Sequence, residues 1–128
     1  MPDQPFGLRR IHQILVVVQD VDRATAFYRD ILGIPLLFRA PPGLAFFDCA
    51  GVRLMLAPQE AGSEESHTSI LYFGVDDIAA AAAELKARQV VFEEAPHLVA
   101  KLPDREVWIG LFRDSEGNRM ALMSEPVT

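Results

Sequence analysis

The stretch "IHQILVVVQDVDRATAFYRDILG", residues 11–33, decides how the rest of the chain is read. Ile14 to Val18 is a continuous aliphatic and β-branched run closed by Gln19-Asp20, the pattern of a mostly buried strand. A helix follows: Asp20 or Asp22 can cap it, and Ala24, Phe27, Tyr28 and Ile31 recur at helical spacing. Gly33, with Pro35 just beyond, supplies the stop. His12 and Gln13 precede the run. Because side chains alternate faces along a strand, the two cannot enter one cavity together.

Outward from this stretch, Leu36 to Phe38 predicts a short strand before the turn "APPG", and "LAFFDC" and "VRLMLA" predict a hairpin across Ala50-Gly51. The first half therefore reads βαβββ. The segment "PQEAGSEESHT", Pro58 to Thr68, is polar, acidic and aperiodic, as expected of a linker. Beyond it the order recurs: a strand over Ser69 to Val75, a helix over Asp77 to Arg88, a short strand around Val90 to Phe92, and strands near Glu106 to Phe112 and Asn118 to Ser124. The second helix has a buried stripe of Ile78, Ala81, Ala82 and Leu85.

The halves also match locally. "GVRLML" from Gly51 aligns with "GNRMAL" from Gly117, and "VQDVDRATAFY" aligns with "VDDIAAAAAEL". Such self-similarity marks one supersecondary unit used twice. The expected fold is α+β, a single domain over 1–128. Two tandem βαβββ modules, about 9–58 and 69–125 with a linker at 59–68, would form a curved mixed sheet with helices on its convex side.

Half of the 128 residues are hydrophobic, enough for a sizeable core. A net charge of −6 repels polyanions, so neither nucleic acid nor an anionic membrane is an expected partner. Cys49 is the lone cysteine, which suits a reducing compartment, and "MPDQPFGLRR" has no apolar signal core; the expected address is the cytoplasm.

Three stretches together resemble the vicinal oxygen chelate superfamily: residues 11–33, "YFGVDD" at Tyr72 to Asp77, and "FRDSEGNRMALM" at Phe112 to Met123. That superfamily includes glyoxalase I, extradiol dioxygenases, methylmalonyl-CoA epimerase, and fosfomycin and bleomycin resistance proteins. The resemblance implies four inward-facing metal-ligand positions, usually His, Glu or Gln. Aligned through Phe27-Tyr28 and the repeat, these fall at Gln13, Met55, Ile70 and Ala121. Only Gln13 carries an oxygen, and one neutral amide cannot hold a divalent metal. A member lacking the metal site and any cofactor is expected.

Strand parity supports this register. Ile14, Val16 and Val18, with Leu54, Leu56, Leu71, Phe73, Met120 and Leu122, make the bulky apolar set that packs on helices. Gln13, Arg53, Met55, Ile70, Tyr72, Arg119 and Ala121 share the other parity, an apolar surface with a few polar groups, as in a ligand pocket. Arg53 and Arg119 occupy equivalent repeat positions and could fork onto a carboxylate or phosphate, or simply reach solvent. Tyr72 and Trp108 could stack on a planar ligand or serve packing. His97 could enter the pocket as an acid or base, His67 in the linker is expected to be solvated, and His12 is expected on the side away from the cavity.

The leading expectation is a metal-independent binder of the glyoxalase/bleomycin-resistance type, sequestering or presenting a small organic molecule, with a homodimer implied by the resemblance. The alternative is an enzyme of the same superfamily, a lyase, isomerase or dioxygenase.

Overall fold

The computed structural model describes residues 6–59 and 69–128. Of the linker expected at 59–68, only Gln59 is among them; the rest, including His67, lies outside the described residues.

The first module runs β1 (Gln13–Val18), α1 (Val21–Ala26) continuing into a π-helical turn (Phe27–Ile31), β2 (Leu36–Ala40), β3 (Leu44–Cys49) and β4 (Val52–Pro58). The second runs β5 (Leu71–Gly74), α2 (Ile78–Ala87), β6 (Phe92–Lys101), β7 (Glu106–Arg113) and β8 (Arg119–Ser124). Each module forms one four-stranded sheet, in the orders β1-β4-β3-β2 and β5-β8-β7-β6. The β1/β4 and β5/β8 pairs are parallel and the remaining pairs antiparallel. These are the two tandem βαβββ modules expected from the repeat, and they build a curved sheet with the helices on one side.

Local chemistry sets the element ends. Of the two candidate caps for α1, Asp20 does the work: its Oδ1 accepts from the Arg23 amide at 3.1 Å, whereas Asp22 pairs with Arg39 at 2.9 Å. Asp77 caps α2 in the same way, accepting from the Ala80 amide at 3.0 Å. The β3–β4 hairpin turns on Ala50 and Gly51 at φ 50° and 92°. Positive φ at both central residues lets the turn follow the strand twist, and Asp48 Oδ1 ties it by accepting from the Gly51 amide at 3.1 Å.

One element differs from expectation. The short strand expected around Val90 to Phe92 is instead the ten-residue β6, while Val90 itself is buried in the core. "FEEAPHLVAK" hides its strand character because the register shifts along its length and Pro96 interrupts the pattern. β6 lies at the sheet edge, where a residue without an N–H is tolerated.

The sheet registers align the modules position by position. Leu54 sits opposite Ile14 and Phe47, as Met120 sits opposite Leu71 and Phe112. All six belong to or pack against one apolar cluster that spans both modules on the helix side. Burying Val16, Tyr28, Phe47, Phe112 and Met120 completely contributes roughly 1.5–3 kcal/mol for each aliphatic or aromatic side chain.

The modules are clasped by the β7–β8 turn, "DSEGN" at 114–118. Buried Asp114 accepts from the Tyr28 hydroxyl at 2.7 Å and from the amides of Glu116 and Asn118, each at 2.8 Å. The Asn118 side chain donates to the Val17 carbonyl at 2.9 Å. Glu116 reaches across to the start of α1, accepting from the Gln19 and Asp20 amides at 3.1 and 2.9 Å and from Arg23 Nε at 2.7 Å. These bonds satisfy helix-start donors that would otherwise lack partners.

Candidate functional site

The sheet face turned away from the core carries most of the residues singled out by parity. In the first module they are bonded together. Gln13 and Arg53 stand opposite each other across the parallel β1/β4 pair, and Arg53 Nε donates to Gln13 Oε1 at 2.7 Å. The Gln13 amide nitrogen lies 3.8 Å from the Met55 sulfur. The Arg53 guanidinium sits 5.5 Å from the centroid of the Phe46 ring, and Phe46 in turn stacks on Phe38 at 4.6 Å with 22° between planes. Phe46 is opposite Met55 in the register. Gln13, Arg53, Met55, Phe46 and Phe38 thus form one cluster, a cation and an amide above a two-ring platform.

The second module presents a different surface at equivalent positions. Ile70 and Tyr72 are exposed, while Ala121, in register between Tyr72 and Leu111, is fully buried. Arg119 corresponds to Arg53 but meets an acid: its Nε lies 3.4 Å from Glu93 Oε1. The other Glu93 oxygen accepts from Arg113 Nε at 2.8 Å. The hydrogen bond from Arg113, aided by the charges of both guanidiniums, holds the Glu93 carboxyl below the usual carboxylate range. Arg113 also donates to the Gly117 carbonyl at 2.7 Å.

Trp108 is not on this face. β7 places Trp108 with Gly110 and Phe112 opposite Ser124, Leu122 and Met120, so the indole packs against the helix-side core and donates to Glu106 at 3.0 Å. His97 faces Ile109 across β6/β7 as an exposed side chain, its Nδ1 2.8 Å from the Ala95 carbonyl and its Nε2 3.6 Å from Glu94. His12 is exposed and lies beside Arg10 at 2.8 Å, contributing only its carbonyl to the sheet, where it accepts from the Arg53 amide at 3.0 Å.

Sequence reading missed Phe38, Phe46 and Glu93. Phe46-Phe47 did contain the signal, since adjacent strand residues face opposite sides and only one of the two rings can enter the core. Phe47 does so, opposite Leu54.

The residues at the four ligand positions implied by the resemblance do not fit a divalent metal. The Gln13 oxygen accepts from a guanidinium, and Met55, Ile70 and Ala121 offer no oxygen or nitrogen. Among the described residues no three His, Cys, Asp or Glu side chains are grouped as metal ligands. On the opposite side, a cleft of about 350 Å³ lies between the π-helical turn and α2, lined by Ile31, Gly33, Leu85 and Phe112. Arg88 bridges it by donating to the Ile31 carbonyl and to Glu84, each at 3.0 Å.

A family model described as the Glyoxalase/Bleomycin resistance protein/Dioxygenase superfamily matches residues 10–122. The chain belongs to this superfamily. Solved structures with the same glyoxalase-type fold include TnmS3, an antibiotic binding protein from Streptomyces sp. CB03234, at 23% identity and TM-score 0.74, covering 95% of this chain and 100% of that one. A putative glyoxalase family protein from Bacillus anthracis matches at 18% identity and TM-score 0.74, covering 96% and 100%. Lactoylglutathione lyase from Agrobacterium tumefaciens matches at 22% identity and TM-score 0.68, covering 90% and 92%. A search of curated proteins found no match to this chain. Proteins that share this fold thus include a lyase and a binder, and fold alone does not choose between them. No helix among the described residues is long and apolar enough to cross a membrane.

Proposed function

We propose that this glyoxalase-superfamily chain is a metal-independent binder of a small organic molecule, taken up on the face formed by Gln13, Arg53 and Met55 with Phe46 and Phe38, and by Ile70 and Tyr72. One observation carries the reading: Gln13, the sole oxygen donor at the four ligand positions, is hydrogen-bonded to Arg53 at 2.7 Å. A guanidinium at that place opposes a divalent cation by charge and occupies one of the oxygen's two lone pairs. An apolar and aromatic surface with few oriented polar groups suits an organic ligand. Arg119 and His97 border this surface, with Arg119 held by Glu93, while Ala121 is buried and adds no accessible area to it.

The reading extends to a cytoplasmic homodimer. Phe6, Leu8 and Ile11 precede β1 with exposures of 93, 94 and 63%, apolar area that a second copy of the chain would cover.

The test combines two measurements on the full chain purified without chelator. Metal analysis is expected to find no stoichiometric Ni, Zn, Mn or Fe. A thermal-shift screen of antibiotics and aromatic compounds is expected to yield ligands that raise Tm, because a ligand specific for the native state stabilises it. Stoichiometric metal, or turnover with superfamily substrates that depends on it, would overturn the reading.

A further inference from the structure

The two halves of the concave face differ in one respect that chemistry can use. Arg53 and Arg119 are repeat equivalents, each standing one residue before a core position, Leu54 or Met120. Arg119 and its cross-strand neighbour Arg113 share the carboxylate of Glu93. Among the described residues Arg53 has no carboxylate partner. Its cross-strand neighbour is Asp48, whose Oδ1 instead accepts from the turn amide of Gly51.

Arg53 is nonetheless fixed. Its Nε is committed to Gln13 at 2.7 Å, and its Cζ lies over the Phe46 ring, which is itself backed by Phe38. An Nε anchor leaves the two terminal NH2 groups as a fork, and neither makes a hydrogen bond to another of the described residues. The side chain is half-buried, so much of the entropy cost of ordering it is met before a ligand arrives. A guanidinium fork beside a stacked pair of rings matches a flat molecule ending in a planar oxyanion.

We propose that the ligand of this face is a planar aromatic carboxylate, its carboxylate oxygens accepting from the terminal NH2 groups of Arg53 and its ring packing beside Phe46 and Phe38. This rests on the binding function proposed above and adds the class of ligand and the residue that selects it. Gln13 acts as a positioning residue: it takes the Nε–H and thereby aims the fork. The pairing of Arg119 with Glu93 leaves the second module's half of the face to contribute apolar contact, through Ile70 and Tyr72.

The probes are 2-naphthoate and its uncharged counterpart 2-naphthamide, titrated by calorimetry into the wild-type chain and into Arg53→Gln, Arg53→Lys, Gln13→Leu and Arg29→Gln. Arg29 is on the helix side, paired with Asp30, so its substitution removes an equal charge away from the face. The wild type is expected to prefer naphthoate over naphthamide by at least about tenfold, as a charge-assisted forked bond implies. Arg53→Gln abolishes that preference, Arg53→Lys restores only part of it, and Gln13→Leu weakens naphthoate binding while leaving naphthamide unaffected. Arg29→Gln retains the wild-type preference. Urea unfolding of each variant shows whether a loss reflects misfolding.

Naphthamide binding as tightly as naphthoate would overturn the carboxylate class while leaving the binding function standing. A loss on Arg119→Gln equal to that on Arg53→Gln would overturn the assignment to Arg53. Failure of both probes to bind a folded wild-type protein would overturn the ligand class and, if the wider screen is also silent, the binding function with it.

Discussion

The Tyr28 hydroxyl donates to the Asp114 carboxylate at 2.7 Å, inside a core that leaves no part of Tyr28 exposed. The bond ties the helix of the first module to the last turn of the second. Burial, together with the adjacent Asp114 charge, pushes the Tyr28 phenol far above its usual range, which favours the protonated, donating form. Tyr28→Phe leaves the ring packing intact and deprives a buried carboxylate of one donor. The expected loss is about 1–3 kcal/mol, read as a lower urea midpoint with unchanged m-value. An unchanged midpoint would show that the clasp does not need this bond.

Acid sensitivity should track the neighbouring carboxylate. The Arg23 hydrogen bond, with the Asp20 amide and Ser115 hydroxyl, lowers the Glu116 pKa from 4.5 to about 2 against the opposing cost of burial. A group with a depressed folded-state pKa contributes stability that is fully present above its unfolded value and is lost as pH falls through the folded one. The Glu116 contribution, about 3 kcal/mol at neutral pH, should therefore disappear between about pH 4.5 and pH 2. Denaturant unfolding at pH 7, 4 and 2.5 checks this. Glu116→Gln is expected to be less stable at pH 7, with the gap to the wild type reduced to a small fraction at pH 2.5.

Chelation should be without effect. With Gln13 bonded to Arg53 and no oxygen at Met55, Ile70 or Ala121, dialysis against EDTA is expected to leave Tm and the binding of any screened ligand unchanged. A fall in either after EDTA, reversed by one added divalent metal, would contradict the metal-independent reading.

Phe38→Ala separates binding from folding. The ring is about half exposed at 47% and lies on the stacked platform, so its removal is expected to cost little stability, on the order of 1 kcal/mol. Affinity for 2-naphthoate should fall several-fold. Phe47→Ala, which deletes a fully buried ring, should by contrast cost about 3–5 kcal/mol.

Much of the architecture was legible because burial writes itself into period. Val16 and Val18 of β1 and Leu54 and Leu56 of β4 are apolar and buried at alternate positions, and the repeat carries the same rule to Leu71 and Met120. β6 was hard to read because an edge strand with shifted register and an internal proline has no alternation to display. Trp108 admits both a stacking and a packing role in the sequence because β7 is half-buried on both sides, so its face is fixed by pairing with β8 and not by its own pattern. The polar part of the site was legible as composition only. That Gln13 and Arg53 share a face follows from alternation, but that they bond, while Arg119 bonds to Glu93, depends on side-chain reach across neighbouring strands.

The turn that clasps the modules also records how the repeat has diverged. Its counterpart in the first module is the Ala50-Gly51 hairpin, whose one acid, Asp48, accepts from the hairpin's own Gly51 amide. The attachment therefore runs one way: the second half carries the hook and the first half the eye. A gene encoding the first module twice would lack the hook altogether, and one encoding the second twice would offer no tyrosine hydroxyl at the position of Tyr28, where Leu85 aligns. The duplicated halves have become complementary parts, and neither can stand in for its twin.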